Sequence, residues 1–270
     1  MSDDLTFEEV ERAVEELKKR AEEAEKKGDT MNAASLYAQA GMVALENGIY
    51  ELAVKNYEKA LKHFENSANE QGIADTSYNI SVALMNLGDY ERALEYCKRA
   101  LEIYEKLQDM GGVADCQYCL GIILLEQERY EEAIMHFENA IKLYKKVDNL
   151  EGLISAYIDL GRCYMFLNDA KKAESYFKKA IDNAVKSQDD LQIADTYMTI
   201  GDAWEAQGNI KKAINNYLKA AESYLKVGEH ELVRDVLDRL KDLMNELGRS
   251  ARKTLRQKIE ELEKQLPPGG

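Results

Sequence analysis

The sequence predicts an all-α fold, a solenoid of antiparallel helix hairpins with about 13 helices. A unit of 40 residues recurs without insertion or deletion, which is typical of stacked structural repeats. Glycine, asparagine and aspartate return at fixed places in each unit, where they can end one helix and cap the next. Both prolines lie in the final Pro-Pro-Gly-Gly, so the body of the chain lacks strong helix breakers.

The repeat is clearest in the segment from Gln71 to Met110. The same pattern returns at 31–70, 111–150, 151–190 and 191–230. Because each unit of a solenoid packs against its neighbours, we expect these five units to form one continuous body over 31–230.

Residues 1–30 are predicted to form an N-terminal capping helix, with 1–5 frayed. Thr6 followed by Glu9 is a capping box, after which a helix extends to about Lys27. Apolar residues at alternating spacings of three and four form a heptad stripe: Phe7, Val10, Val14, Leu17, Ala21 and Ala24. We interpret this stripe as the surface that covers the first repeat. A dimerising coiled coil is the alternative.

Each repeat is predicted to hold two helices joined by a short turn. In the second repeat they cover about 72–87 and 90–107, and Gly88 supplies the left-handed conformation that ends the first. Asp89 can then cap the second helix. Equivalent turns are Asn47-Gly48, Gln127-Glu128-Arg129, Leu167-Asn168-Asp169 and Gln207-Gly208-Asn209.

Small and large residues recur at complementary places. Second helices carry alanine at two matched positions, 53, 93, 133, 173, 213 and 60, 100, 140, 180, 220. First helices carry Gly41, Gly121, Gly161 and Gly201, with Ser81 in the second repeat. Glycine inside a helix costs about 1 kcal/mol relative to alanine, so its recurrence implies that another helix crosses there.

The segment 231–266 is predicted to be a divergent sixth hairpin that acts as a C-terminal cap, followed by a flexible tail over 267–270. Its last helix, about 250–265, keeps one apolar stripe and is otherwise polar, as the soluble end of a solenoid requires. The segment also holds the one basic cluster, Arg249, Arg252, Lys253, Arg256 and Lys258. A solvated cap, a contact with the chain's own acidic residues and a contact with an anionic partner all remain open for this cluster.

The spacing of glycine, aromatic and alanine residues resembles the tetratricopeptide repeat, with its clearest copy in Gly201, Trp204, Gly208, Ala213, Tyr217 and Ala220. The usual repeat of that family has 34 residues and a closing proline, whereas this chain has 40 and no such proline. The long helices are similar to those of kinesin light chain, the Pins/LGN adaptors and the Rap regulators. The resemblance implies a right-handed superhelix whose first helices line a concave groove.

Composition limits the partners. The net charge of −14 disfavours nucleic acid and anionic membranes, which require basic surfaces. No apolar run approaches the roughly 20 residues of a membrane span, and the acidic N-terminus is unlike a signal peptide. The four cysteines do not form a disulfide framework, so a reducing cytoplasm is the expected location.

No residue set predicts catalysis, a metal or a cofactor. Cys116 and Cys119 form a C-x-x-C pattern, but the histidines lie elsewhere, so we interpret the cysteines as core residues, with metal binding and redox sensing as alternatives. Asp75, Asp115 and Asp195 recur near helix starts, where the helix dipole favours negative charge. We therefore predict that the protein is not an enzyme.

The resemblance implies groove residues at repeat positions 2, 5, 9, 12 and 13. The first four repeats then offer Met42, Leu45, Tyr78, Asn79, Val82, Met85, Asn86, Tyr118, Ile122, Leu125, Ile158, Arg162 and Met165. The last two offer Met198, Asp202, Glu205, Asp238 and Asp242. The groove is thus apolar over four repeats and acidic over two. A shift of one helical position would instead make these residues ordinary core.

These patterns predict a protein-interaction scaffold that binds an amphipathic peptide or helix with apolar and basic residues. The carboxylate clamp of the family needs a basic groove, so binding of chaperone tails is not expected. The alternatives are a self-associating structural module, with its groove or its N-terminal stripe occupied by the chain itself or by a second copy, and a Rap-like regulator of a signalling protein.

Overall fold

The computed structural model describes residues 6–267, which form two compact units that meet in sequence between Val147 and Asp148. The first unit contains seven helices: α1 (Phe7–Lys26), α2 (Thr30–Glu46), α3 (Tyr50–Asn66), α4 (Glu70–Asn86), α5 (Tyr90–Leu107), α6 (Met110–Glu126) and α7 (Tyr130–Lys146). Within it, each helix packs against the next, and the first helices α2, α4 and α6 also contact one another.

The second unit contains α8 (Leu150–Phe166), α9 (Ala170–Ser187), α10 (Asp190–Ala206), α11 (Ile210–Val227), α12 (His230–Leu243), a 3₁₀ turn (Met244–Glu246) and α13 (Arg249–Glu263). The described residues therefore form 13 α-helices and no strand, which confirms the predicted all-α fold of antiparallel hairpins. The predicted division into 1–30, 31–230 and 231–266 stays a prediction. The frayed start at 1–5, and the tail apart from Pro267, lie outside the described residues.

Side-chain caps and left-handed residues set the helix ends. The Asp89 carboxylate accepts the backbone N–H of Arg92, and equivalent Asp or Asn caps start most of the other helices. Each predicted hairpin turn contains one residue with positive φ: Gly48, Gly88, Glu128, Asn168 and Gly208. Glu128 and Asn168 adopt this conformation without glycine, because the turn geometry is held by the helices on both sides.

Within a hairpin, an aromatic ring of the second helix lies across the glycine of the first. A Cβ added to Gly41 would come within 2.8 Å of Tyr57, and one added to Gly121 within 2.6 Å of Phe137. The ten repeated alanines are fully buried, as the close approach of the helices predicts. The recurrent glycines are therefore packing residues.

The second repeat replaces both members of this pair. Ser81 takes the place of the glycine, and Cys97 takes the place of the ring. The Ser81 Oγ donates a hydrogen bond of 2.8 Å to the carbonyl of Ala93. A smaller side chain at 97 leaves room for the larger one at 81, so the two exchanges compensate one another.

Helix α1 packs against α2 of the first repeat. The capping box of Thr6 and Glu9 is present, and Val10 and Val14 are buried against the hairpin core. The His63 Nε2 on α3 lies 2.7 Å from the Glu25 carboxylate on α1, which fastens the helix at its other end. Most of the stripe is thus buried inside the chain, although Phe7 is 61% exposed.

The last helix is attached differently from the others. Leu255, Ile259 and Leu262 of α13 are buried, but the backbones of α12 and α13 approach each other at few places. The Arg252 guanidinium donates hydrogen bonds to the carbonyls of Met244, Asn245 and Leu247. Arg252 therefore closes the end of α12, whereas the other members of the predicted basic cluster stay exposed.

Candidate functional site

In the first unit, the predicted groove residues lie on the neighbouring first helices α2, α4 and α6. Met42 is 46% exposed, whereas Leu45, Val82, Met85 and Ile122 are half-buried. Leu45, Val82 and Met85 also pack against the core of the unit. We call Met42, Leu45, Val82, Met85 and Ile122 the apolar face. Four of these five side chains are half-buried, so the face exposes less apolar surface than the sequence indicates.

Of three further predicted residues of the first unit, Leu125 is buried, whereas Tyr78 and Tyr118 are half-buried and packed against neighbouring helices. Leu125 is 3% exposed, so it cannot reach a ligand, and this prediction is corrected. Burial raises the pKa of Tyr78, as do the neighbouring Cys119 and Asp115. The Tyr118 ring packs against Phe137, with ring centroids 5.7 Å apart. The neighbouring helices α6 and α7 therefore cover one side of Tyr78 and Tyr118, respectively.

Two asparagines complete the predicted set in this unit. Asn79 is half-buried and Asn86 is exposed. The Asn86 side-chain amide donates a hydrogen bond of 2.8 Å to the Val82 carbonyl one turn earlier in α4. Its amide oxygen is the atom that this contact leaves available to a ligand.

The aspartates near the starts of the first helices accept hydrogen bonds from tyrosines of the paired second helix. The Tyr104 hydroxyl donates to Asp75 over 2.7 Å, and the Tyr144 hydroxyl donates to Asp115 over 2.8 Å. Tyr224 donates to Asp195 in the same way. The helix dipole alone is therefore an incomplete explanation for these carboxylates.

The fourth repeat supports this pairing because it lacks both partners. Ser155 stands at the aspartate position, and Ala184 stands at the tyrosine position. The two residues change together over a separation of 29 positions. This coupled exchange is visible in the sequence alone.

Three cysteines of the first unit lie together. The Cys97 Sγ donates to the carbonyl of Cys116 over 3.4 Å, and the Ser81 Oγ lies 3.5 Å from the Cys119 Sγ. All three thiols are buried, and the hydrogen bond to Cys116 together with burial raises the pKa of Cys97. The neighbouring Cys97 together with burial also raises the pKa of Cys119, so Cys97 and Cys119 stay protonated at neutral pH, and the burial of all three thiols is consistent with the packing interpretation.

In the second unit, the predicted apolar residues are largely core. Ile158 is 7% exposed and Met165 is 5% exposed, so the structure removes both from the surface. The Arg162 guanidinium donates to the buried Asp159 over 2.8 Å. Met198 stays half-buried. The predicted apolar groove residues that remain accessible therefore lie mainly in the first unit.

The predicted acidic residues of α10 already have partners inside the second unit. The Arg239 Nε donates to Glu205 over 3.0 Å, and its Nη2 lies 3.6 Å from Asp202. The Tyr217 hydroxyl lies 2.7 Å from both carboxylates. Burial alone would raise the pKa of Glu205, but the hydrogen bonds from Tyr217 and Arg239 hold it below its usual value.

Helix α12 and the 3₁₀ turn that follows it carry the more available negative charge. Asp235, Asp238, Asp242 and Glu246 are exposed at successive turns. Lys241 lies 2.8 Å from Asp238 and 3.0 Å from Glu263. Within residues 6–267, no ion pair involves Asp235, Asp242 or Glu246. We call Asp235, Asp238, Asp242 and Glu246 the acidic face.

Sequence reasoning missed Arg239, which decides how much of the acidic surface is free. A signal existed, because the same separation of 34 residues recurs in the ion pairs Arg92–Glu58 and Arg99–Glu65. Each such pair joins helices of successive repeats. The basic residue 34 positions after Glu205 was therefore a signal in the sequence for this ion pair.

The described part of the chain contains no group of three or more histidine, cysteine, aspartate or glutamate side chains placed to hold a metal ion. None of its helices is both long and apolar enough to cross a membrane.

Comparisons with known proteins agree with this architecture. A family model described as Tetratricopeptide repeat matches residues 29–106 and 112–184, and a second of the same description matches 194–227. No curated protein matches the chain.

Several solved structures are similar. BtubC (BKLC) from P. vanneervenii is 17% identical, with a TM-score of 0.66 over 81% of this chain and 92% of that one. Aspartyl phosphate phosphatase F from Bacillus subtilis is 14% identical, with a TM-score of 0.63 over 98% and 70%. A Rap protein complexed with Competence and Sporulation Factor is 19% identical, with a TM-score of 0.61 over 86% and 76%. At these identities the similarity shows the fold alone.

Proposed function

Because the chain belongs to the tetratricopeptide repeat family, we propose that it is a non-catalytic scaffold that binds a peptide or helix of a partner protein. The ligand is amphipathic and carries apolar and basic residues. The observation that carries this proposal is the apolar face, where Met42 is exposed and three neighbouring helices contribute half-buried aliphatic side chains.

The chemistry of the apolar face suits a helical ligand. Methionine has a flexible, polarisable side chain that adapts to different partners, and Met42 and Met85 both lie on this surface. Aliphatic side chains at helical spacing fit the ridges of an amphipathic helix. Because four of the five side chains are already half-buried and the ligand must be ordered on binding, we expect micromolar affinity.

The acidic face supports the basic part of the proposal. Asp235 and Asp242 lie about two turns apart on α12 without an ion-pair partner among residues 6–267. Exposed carboxylates attract a ligand that carries lysine or arginine side chains and raise its rate of association at low ionic strength. Asp202 and Glu205 contribute less, because Arg239 neutralises part of their charge.

Fluorescence anisotropy with synthetic peptides of about four helical turns tests the proposal. One peptide has an apolar and a basic face, a second has the same apolar face with acidic residues, and a third has the first composition in scrambled order. We expect binding of the first alone. Equal binding of the basic and acidic peptides contradicts the proposed ligand chemistry.

Matched variants assign the binding to residues. Met42→Glu should abolish binding, whereas Met135→Glu, at another exposed methionine, should not. Asp235→Lys combined with Asp242→Lys should weaken binding of the basic peptide, whereas Asp182→Lys on α9 should not. Far-ultraviolet circular dichroism verifies that each variant is folded. Unchanged binding by folded Met42→Glu excludes the apolar face.

A Rap-like regulator of a signalling protein is the second candidate, favoured by the similar structure of a Rap protein complexed with Competence and Sporulation Factor. A regulator differs from a simple scaffold because one ligand changes the affinity for another. Once a partner protein is captured, its affinity should be measured with and without a saturating peptide. An unchanged affinity supports the scaffold and excludes the regulator.

A further inference from the structure

The loose attachment of α13 leaves two clefts between it and α11. The larger, of about 530 Å³, is lined by residues that include Leu225, Lys226, Glu261 and Leu262. The smaller, of about 310 Å³, is lined by Lys211, Ile214, Asn215, Leu218, Leu247, Ala251, Thr254, Leu255 and Lys258. We call the smaller one the C-terminal cleft. The two clefts share Leu218 and Lys258, so they form adjoining parts of one depression.

The chemistry of the C-terminal cleft is unusual for this acidic protein. Ile214, Leu218 and Leu255 provide an apolar floor, and the two charged residues in its lining, Lys211 and Lys258, are cationic. An apolar side chain flanked by carboxylates is complementary to such a cleft, because it fills the floor and neutralises the rim.

The first turn of α1 offers a group of this kind. The Phe7 side chain is 61% exposed, although the rest of its stripe packs inside the first unit. Glu8 and Glu11 are exposed beside it, and Phe7 and Glu11 share one helix face because they are four residues apart. Glu9 is occupied by the capping box with Thr6.

We propose that the protein associates head to tail, with Phe7 of one copy inserted into the C-terminal cleft of a second copy. Glu8 and Glu11 of the first copy then lie against Lys211 and Lys258 of the second. Both parts belong to the same sequence, and the two carboxylates beside Phe7 are opposite in charge to the two lysines of the cleft.

This interface is heterologous, since the anchor and the cleft are different surfaces. In the dimer one copy keeps an unused cleft and the other keeps an unused anchor, so association continues beyond the dimer or closes into a ring. A coiled coil between two α1 helices would instead stop at the dimer. The two modes therefore differ in the masses that they produce.

Sedimentation velocity of the full chain over the micromolar range, at low ionic strength, tests the proposal. We expect the average mass to rise with concentration and to fall when salt is added, because the rim contacts are exposed ion pairs. Phe7→Ser should weaken association by about tenfold or more, as expected when an aromatic anchor is removed. Lys211→Glu combined with Lys258→Glu should weaken it similarly. A monomer at all concentrations overturns the proposal.

Mixing two variants gives the sharper test. A Phe7→Ser copy keeps its cleft, and a Lys211→Glu, Lys258→Glu copy keeps its anchor. Neither should associate alone, but together they should form a one-to-one dimer that grows no further. An interface between identical surfaces cannot give this result, so the absence of the mixed dimer overturns the head-to-tail arrangement.

Charge exchange and a competing anchor complete the experiment. A chain that carries Glu8→Lys and Glu11→Lys together with Lys211→Glu and Lys258→Glu should associate again, because the charges of the anchor and the cleft are exchanged. Met135 is 63% exposed and also lies among glutamates, so Met135→Ser is the matched comparison and should leave the mass unchanged. Loss of association in Met135→Ser, or failure of the charge exchange, contradicts the assignment to Phe7. These residues lie outside the apolar and acidic faces, so the outcome is independent of peptide binding.

Discussion

The ring of Phe177 lies across the backbone of Gly161, so closely that a Cβ added to the glycine would be 2.5 Å from the Phe177 Cε1. The same relationship joins Gly201 to Tyr217. The hairpin is therefore built on a contact that tolerates no side chain at the first position. This explains why glycine recurs inside helices, where it is otherwise unfavourable.

Gly161→Ala should destabilise the protein by about 1–2 kcal/mol, because overpacking of about 1–3 kcal/mol exceeds the helix-propensity gain of about 1 kcal/mol. Urea denaturation followed by circular dichroism measures the change. Gly111→Ala is the control, because its added Cβ would have its nearest neighbour at 3.4 Å. It should be neutral or stabilising.

Gly161→Ser combined with Phe177→Cys should cost less than the sum of the two single changes, because the pair then has the residues found at Ser81 and Cys97. A coupling on the order of 1 kcal/mol is expected for residues in direct contact. Additive effects in urea denaturation would contradict the compensation inferred for the second repeat.

Tyr104→Phe should cost about 1.5–3 kcal/mol, because it removes a hydrogen bond to the Asp75 carboxylate. Tyr90→Phe is the matched control, since the described residues provide no hydrogen-bond partner for the Tyr90 hydroxyl. A double-mutant cycle of Tyr104→Phe with Asp75→Ser measures the coupling. Equal losses from both tyrosine changes would show that the recurring aspartates do not hold the hairpins together.

Stability should depend on pH through Asp115. Burial raises its pKa, and the hydrogen bond from Tyr144 offsets part of that rise. The folded state therefore binds the Asp115 proton more tightly than the unfolded state does. As the pH rises above the unfolded pKa of about 3.9, this proton is lost and the free energy of unfolding falls. Asp115→Asn should remove this slope, and Tyr144→Phe should extend it to higher pH.

Urea denaturation of the three proteins between mildly acidic and neutral pH measures these slopes. Tyr144→Phe extends the window because it removes a hydrogen bond that stabilises the ionised form. Identical pH profiles for the wild type and Asp115→Asn would exclude a raised pKa at this carboxyl group.

Arg239→Gln should lower stability by about 0.5–1 kcal/mol, because its ion pairs with Glu205 and Asp202 are partly exposed and therefore screened. The loss should shrink at high salt. The change also makes this surface more acidic, so binding of the apolar and basic peptide should tighten by about twofold to fivefold at low salt. Lys253→Gln, on the exposed side of α13, is the control for net charge.

Much of the fold could be predicted from the sequence because its determinants are local. Gly88 and Asp89 specify a helix end and a helix start within a few residues, and the structure confirms both. The glycine at 121 and the ring at 137 lie in one hairpin, so their contact follows from the repeat period. The coupled exchange at Ser155 and Ala184 was readable in the same way.

The candidate site was less predictable, as Leu125 and Met165 show. Both fall at the repeat position that the family uses for ligands, but both are buried. A rotation of a helix by one residue, about 100°, moves a side chain from a groove to a core. That rotation depends on how several helices cross, which no short segment of sequence records.

The sequence by itself determined the hairpins, their period and the residues that close them, because these depend on backbone conformation and on contacts within one repeat. Only the tertiary structure decided which predicted groove residues are accessible to a ligand, since the neighbouring helices determine how far each side chain is buried. Arg239 on α12 neutralises Glu205 on α10, and the gap between α11 and α13 exists because α13 packs through few side chains. Burial and charge pairing are properties of side chains brought together from different repeats, so they appear only once those repeats are packed.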